Sequence, residues 1–105
     1  METLRFEFSG GKPTAPDAQA TLVGVVASGN LEVLVERASL NGACRVEVST
    51  PVTGFQRIWA AVLDDFFVRH PVADVRVSIN DMGATPAVVS LRLDQALEEF
   101  LGVRS

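Results

Sequence analysis

Few residues in this sequence are of a type and spacing that could do chemistry. Asp64-Asp65 and Glu98-Glu99 are paired carboxylates, the equipment of general acid and base catalysis. Neighbours on a helix point about 100° apart, however, so neither pair converges on one substrate atom, and a solvated face is the better reading. There is one cysteine, Cys44, and one histidine, His70. That removes disulfide frameworks, zinc sites built from Cys and His, and nucleophile machinery that needs a second histidine. Cys44 falls on the inward side of an alternating segment, where a thiol behaves as a small apolar group and a poor nucleophile. His70 stands in the last turn of a helical pattern, where an imidazole complements the dipole and can bond the last carbonyls. Trp59 belongs to a continuous helical stripe and reads as core rather than as a ligand platform. Carriers that hold lipoyl or biotin need a lysine at a hairpin tip, and the only lysine, Lys12, sits in a Gly/Pro-rich stretch. Ser28 is different: a small hydroxyl residue followed by Gly29 and Asn30 at a hairpin tip presents its oxygen with little in the way. Ser-Gly-Asn is also an ordinary turn, and on these residues alone the turn reading stands.

The elements that would position these residues follow from periodicity. Leu4, Phe6 and Phe8 alternate with Thr3, Arg5 and Glu7 as a strand with one buried face. Residues 9–20 are rich in glycine, proline and small polar side chains and are expected to be a mobile loop without ladder hydrogen bonds. Residues 21–27 are continuously apolar and read as a strand covered on both faces, with Gly24 hinting at a bulge. Alternation resumes at Leu31, Val33 and Val35, so Ser28-Gly29-Asn30 sits where a tight hairpin would turn. Asn41-Gly42 signals a second turn before Cys44, Val46 and Val48, and three successive strands suggest a meander. Thr53-Gly54-Phe55-Gln56 fits a capping box that opens a helix at Thr53. Phe55, Ile58, Trp59, Val62, Leu63, Phe66 and Phe67 then form an apolar stripe that ends at His70-Pro71. Val75, Val77 and Ile79 mark another strand, turned by Asn80-Asp81-Met82-Gly83. Residues 86–93 fit either a strand or a helix; Thr85-Pro86, an N-cap with proline at the first helical position, favours a helix that stops at Gly102.

The order β-β-β-β-α-β-α implies a two-layer α+β fold: a mainly antiparallel sheet of four to five strands with two helices packed on one face. The chain of 105 residues is expected to be a single domain, and its 48% apolar residues suffice for a core without disulfides or metal. Thirteen acidic residues against eight arginines and one lysine give a net charge of -4, with no basic stripe for nucleic acid. The apolar run Leu22-Val23-Gly24-Val25-Val26-Ala27 is far short of a membrane span, and Met1-Glu2-Thr3-Leu4 lacks the positive start of a signal peptide. A soluble, cytoplasmic protein is expected.

Three segments carry a family resemblance: Met1-Glu2-Thr3-Leu4-Arg5-Phe6-Glu7-Phe8; the run from Leu22 through Ser28-Gly29-Asn30 to Leu34; and Ile79-Asn80-Asp81-Met82-Gly83-Ala84-Thr85-Pro86 leading into Leu91-Arg92-Leu93. Together they resemble, over essentially the whole chain, the acyl carrier (delta) subunit of biotin-independent malonate decarboxylase. That family is related to the citrate lyase acyl carrier (gamma chain).

The resemblance implies a non-catalytic carrier, a phosphoprotein in which Ser28 holds 2'-(5''-phosphoribosyl)-3'-dephospho-CoA, a phosphopantetheine-type group, through a phosphodiester, with Gly29 and Asn30 turning the chain to present it. It implies as partners the acyl-transferase and decarboxylase subunits, a prosthetic-group transferase and a malonyl transferase. A primary alcohol is a weak nucleophile, so a separate transferase must activate it at an unencumbered site. The arm would end in a thiol, on which a malonyl thioester loses CO2 more readily because its carbonyl takes up the charge. The family usually has aspartate after Ser-Gly, whereas this chain has Asn30. Asparagine keeps the turn preference and loses a charge, so modification slows or docking weakens if a partner reads that charge. Two other functions fit the same residues: an interaction or regulatory module that docks without modification, and the carrier of a citrate-lyase-type complex.

Overall fold

In a computed structural model the placement of residues 1–13 and 31–101 is described, together with the backbone of 21–23; residues 14–20, 24–30 and 102–105 lie outside the described residues. The elements run β1 (Glu2–Phe8), β2 (Lys12–Pro13), β3 (Thr21–Val23), β4 (Leu31–Arg37), β5 (Cys44–Thr50), α1 (Gln56–Arg69), β6 (Val72–Ala73), β7 (Val75–Asp81) and α2 (Pro86–Leu101). The main sheet has the order β1-β5-β7-β4-β3, and β2 and β6 form a small parallel pair beside it. Three of the four main-sheet interfaces are antiparallel and one, β5 with β7, is parallel. This is the two-layer α+β architecture expected, with five strands in the main sheet.

The meander is corrected. β4 and β5 do not touch as neighbours, because β7 lies between them, pairing Val33↔Ile79 on one side and Val48↔Ile79 on the other. The 24 residues that separate β5 from β7 include α1, and a crossover of that length permits parallel pairing where a two-residue turn could not. Asn41-Gly42, both at positive φ, still turns the chain, but around the Asp74 side chain. Asp74 Oδ1 accepts the amides of Leu40 (3.0 Å) and Gly42 (2.9 Å), and its own N–H donates to Ala43 O (2.8 Å).

Those two amides, Gly42 first, hold the Asp74 carboxyl below the usual carboxylate range. A folded-state pKa below the unfolded one contributes stability above the unfolded pKa and loses it as pH falls through the folded pKa. Melting temperature is therefore expected to decline on acidification below about pH 4. Asp74→Asn, which keeps an acceptor without the titration, should flatten that decline; an unchanged acid limb in calorimetry would count against it.

Lys12–Pro13 corrects part of the expected loop 9–20. These residues pair with Val72–Ala73, and Lys12 N–H donates to Pro71 O at 2.9 Å. Gly11 allows that approach, since a Cβ there would lie 2.4 Å from Val72 O.

The core lies between the sheet and the helices. Val33, Val35, Val46, Val48, Val75 and Val77 point inward from β4, β5 and β7 and meet Leu63, Phe66, Leu93 and Leu97. The opposite face of the sheet is polar, crossed by the ion pairs Arg5–Glu47 (3.0 Å), Arg45–Glu7 (2.8 Å) and Arg76–Glu36 (2.9 Å). Each of these joins residues directly opposite in the register. Among the described residues no helix is long and apolar enough to cross a membrane.

Both helices depart from the sequence reading in detail. The helix expected at Thr53 begins at Gln56 with Phe55 as N-cap and no side-chain capping bond. Gly54 in the left-handed region (φ 87°) stands between Thr53 and the helix, so the capping box does not form. The apolar stripe splits: Trp59, Leu63 and Phe66 are buried, whereas Phe55 and Ile58 stay 45% and 44% exposed. Residues 86–93 are helical. The Thr85 side chain accepts the Val88 amide only at 3.4 Å, while its carbonyl takes the Val89 amide at 3.0 Å. Gly102, the expected stop, lies outside the described residues.

Candidate functional site

Ser28, Gly29 and Asn30 lie outside the described residues, as do residues 24–27 of the expected second strand. The backbone on either side is described. β3 runs antiparallel to β4 with the pairs Thr21↔Val35, Leu22↔Leu34 and Val23↔Val33, and position 28 is the midpoint of each pair. Among the described residues β3 ends at Val23 and β4 begins at Leu31, whose partner on the other side of β4 is Asp81, the last residue of β7.

That end of the sheet carries the most distinctive local structure. β5 and β7, the parallel pair, both finish there, and each leads into a helix starting nearby. Between the two helix starts lies an apolar cavity of about 270 Å³, walled by Phe55, Ile58 and Trp59 of the α1 side and by Pro86 and Val89 of α2. Its floor is a buried polar pair: Thr50 Oγ1 donates to Asp81 Oδ2 at 2.8 Å. Asp81 Oδ1 accepts the amides of Gly83 (3.1 Å) and Ala84 (2.9 Å), and Thr50 Oγ1 accepts the Val52 amide at 3.2 Å. Asp81 is thus the clamp of the turn between β7 and α2, with three donors on one buried carboxylate. The Asn80-Asp81-Met82-Gly83 signature marks a turn; the Asp-x-Gly spacing within it, an aspartate accepting the amide two residues on, was the signal for the clamp.

The other sequence candidates are placed as follows. Asp64, Asp65, Glu98 and Glu99 are all exposed, and Asp65 pairs with Arg69 one turn on. His70 closes α1 through its backbone N–H to Phe66 O, but its imidazole does not reach the helix carbonyls: Nε2 lies 2.9 Å from Asp94 Oδ1 on α2. Arg69 reaches the same oxygen at 2.9 Å, so Asp94 ties the end of α1 to α2. Sequence reasoning missed Asp94, which has no signal in its spacing. No group of three or more His, Cys, Asp or Glu capable of holding a metal occurs among the described residues.

Cys44 is fully buried, and burial pushes its thiol up to about 12. In the native protein it should not react with iodoacetamide or DTNB at pH 8, and one thiol per chain should appear only on unfolding. Fast labelling of Cys44 in the native state would contradict this environment.

Comparison with known proteins locates the chain. Residues 18–100 match the family model of the malonate decarboxylase delta subunit (MdcD). The chain belongs to the malonate decarboxylase acyl carrier protein family. Relatives in that family include the malonate decarboxylase acyl carrier protein of Xanthomonas euvesicatoria, 63% identical over 97% of both chains. That of Burkholderia cepacia is 61% identical over 94% of this chain and 90% of its own. Among solved structures, one chain from the crystal structure of a Pseudomonas malonate decarboxylase hetero-tetramer in complex with malonate superposes with a TM-score of 0.80. It is 41% identical, covering 95% of this chain and 99% of that one. Family membership extends across the β3–β4 pairing and the Asp81 clamp alike.

Proposed function

We propose that this chain is the acyl carrier subunit of a malonate decarboxylase complex. In this reading Ser28 Oγ carries 2'-(5''-phosphoribosyl)-3'-dephospho-CoA through a phosphodiester, and Gly29 and Asn30 complete the turn that presents it. The observation that carries the reading is the β3–β4 register, whose midpoint is the serine position, in a chain of this family. The bound group supplies a terminal thiol on which acetyl and malonyl thioesters are held.

The chain's own part is mechanical. The five-stranded sheet fixes both ends of the segment bearing Ser28, and the tether raises the effective concentration of the acyl group at the partner sites. The paired carboxylates are spent on the solvated face and Cys44 is sealed in the core, which supports leaving the chemistry to partner subunits. Those partners are an acyl transferase and a decarboxylase subunit, with a prosthetic-group transferase and a malonyl transferase to load the arm. A related chain in a Pseudomonas hetero-tetramer supports assembly of this kind.

The test is intact mass of the protein made with and without a prosthetic-group transferase, followed by mapping of the peptide that contains residues 21–37. A mass gain of the whole group on Ser28 is expected, with one DTNB-reactive thiol appearing in the native protein, since Cys44 stays silent. An unmodified mass in both preparations would sink the carrier reading in favour of a module that docks without modification.

A further inference from the structure

The cavity between the starts of α1 and α2 has no role in the carrier reading so far, and its chemistry is selective. Its walls are apolar and partly aromatic, with Phe55 and Ile58 left roughly half exposed at positions where a closed core would have covered them. A volume of about 270 Å³ is at the small end of ligand sites, enough for one ring system and not for a whole coenzyme. Among the described residues Asp81 is the only charged one that lines it. Its carboxylate takes the Gly83 and Ala84 amides of the turn before α2, and its negative charge repels phosphate and favours an N–H donor.

We propose that this cavity binds the adenine base of the group carried on Ser28, an inference that rests on the carrier reading. The base offers two flat faces to Phe55, Trp59 and Pro86 and an exocyclic amine that can donate toward the Asp81 carboxylate. The pantetheine portion fits less well, because its two amides would meet apolar walls without partners. Proximity supports the same end of the group. Three peptide links join Ser28 to Leu31, so their Cα atoms cannot lie more than about 11 Å apart. Leu31 pairs directly with Asp81 at the cavity floor. Only one phosphate and two pentoses stand between the serine oxygen and the base. Docking the base there anchors the near half of the arm on the carrier and leaves the thiol end free to travel.

Trp59 is the single tryptophan in the chain and lines the cavity, so its fluorescence reports occupancy. In protein whose mass shows the loaded group, stacking of the base on the already buried indole should lower and shift Trp59 emission relative to unloaded protein. Nuclear Overhauser contacts should join the adenine C2–H or C8–H to the Trp59 indole. Ile58→Glu, at a partly exposed wall position, should restore the unloaded emission without unfolding the chain. Loaded protein with unchanged emission, or with contacts from the pantetheine methyls instead, overturns the adenine assignment and leaves the carrier reading intact. A change in Trp59 emission that appears only when partner subunits are added also overturns it and assigns the cavity to an interface. Absence of any mass gain on Ser28 removes both readings together.

Discussion

Replacing Ser28 with alanine is expected to abolish mass gain from the prosthetic-group transferase and to cut malonate decarboxylation by the reconstituted complex by about 10²–10⁴-fold. That range is what a tether contributes when a second binding event becomes intramolecular. The loss is specific to the covalent link: added free thioester should recover part of the activity only at high concentration, because it restores the acyl group and not its confinement. A thermal melt of the variant supplies the control, since the strands that frame the segment, Thr21–Val23 and Leu31–Arg37, are unchanged. A complex that runs at full rate with Ser28→Ala would refute the assignment of Ser28 whatever the family. Asn30→Asp offers a graded companion. If a partner reads the charge common in the family, restoring it should speed loading at low salt and lose that advantage as salt screens it.

The largest effect on stability is expected at Phe66. Its ring is fully buried in the layer between sheet and helices, and it also lies 5.7 Å from the His70 ring, centroid to centroid. Truncation to alanine removes the transfer free energy of the ring and leaves a cavity, together about 4 kcal/mol. Against a total stability of roughly 5–15 kcal/mol for a domain of this kind, that is a large fraction. Melting temperature should drop by about 20 °C. Val68, next but one along α1 and 79% exposed, is the matched comparison: Val68→Ala should stay within about 0.5 kcal/mol. Chemical denaturation of the two variants decides the matter, and equal midpoints would mean that α1 does not dock on the sheet as described.

Alternation made most of the fold legible. Leu4, Val33 and Val35, Val46 and Val48, and Val75 and Val77 reverse burial with every residue, and each belongs to a strand whose inward face is as expected. Strand order was not legible from the same residues, because one valine-lined face looks like another and any pairing satisfies the pattern. The discriminating cue lay elsewhere, in the long helical connection between Thr50 and Val75, which favours a parallel neighbour over a meander. At the site, Ser28 was singled out by the expected hairpin turn and by the family resemblance, and it lies outside the described residues. What escaped was the work of the aspartates. Asp81 was read only as part of a turn, and Asp74 and Asp94 were not singled out at all, yet each holds donors contributed by other parts of the chain, as Asp74 does for Leu40 and Gly42. Such a role depends on which segments meet in space, and spacing along one segment does not encode it. The split stripe of α1 has the same origin: Phe55 and Ile58 line the cavity between the helix starts and stay half exposed.

The position of β7 also governs how the chain is assembled in time. Without it, β1 with β5 and β3 with β4 are two separate ribbons that share no partner, each too small to hold an apolar face out of water by itself. The strand that joins them begins only at Val75, so on a translating ribosome the chain before it can form no more than the separate β1–β5 and β3–β4 pairs and nascent helix. Closure of the sheet is then a late, non-local event, of the kind that folds slowly and leaves strand edges open meanwhile. The strands β3 and β4 are therefore joined to the rest of the sheet only once β7, which follows both of them in the chain, has been made.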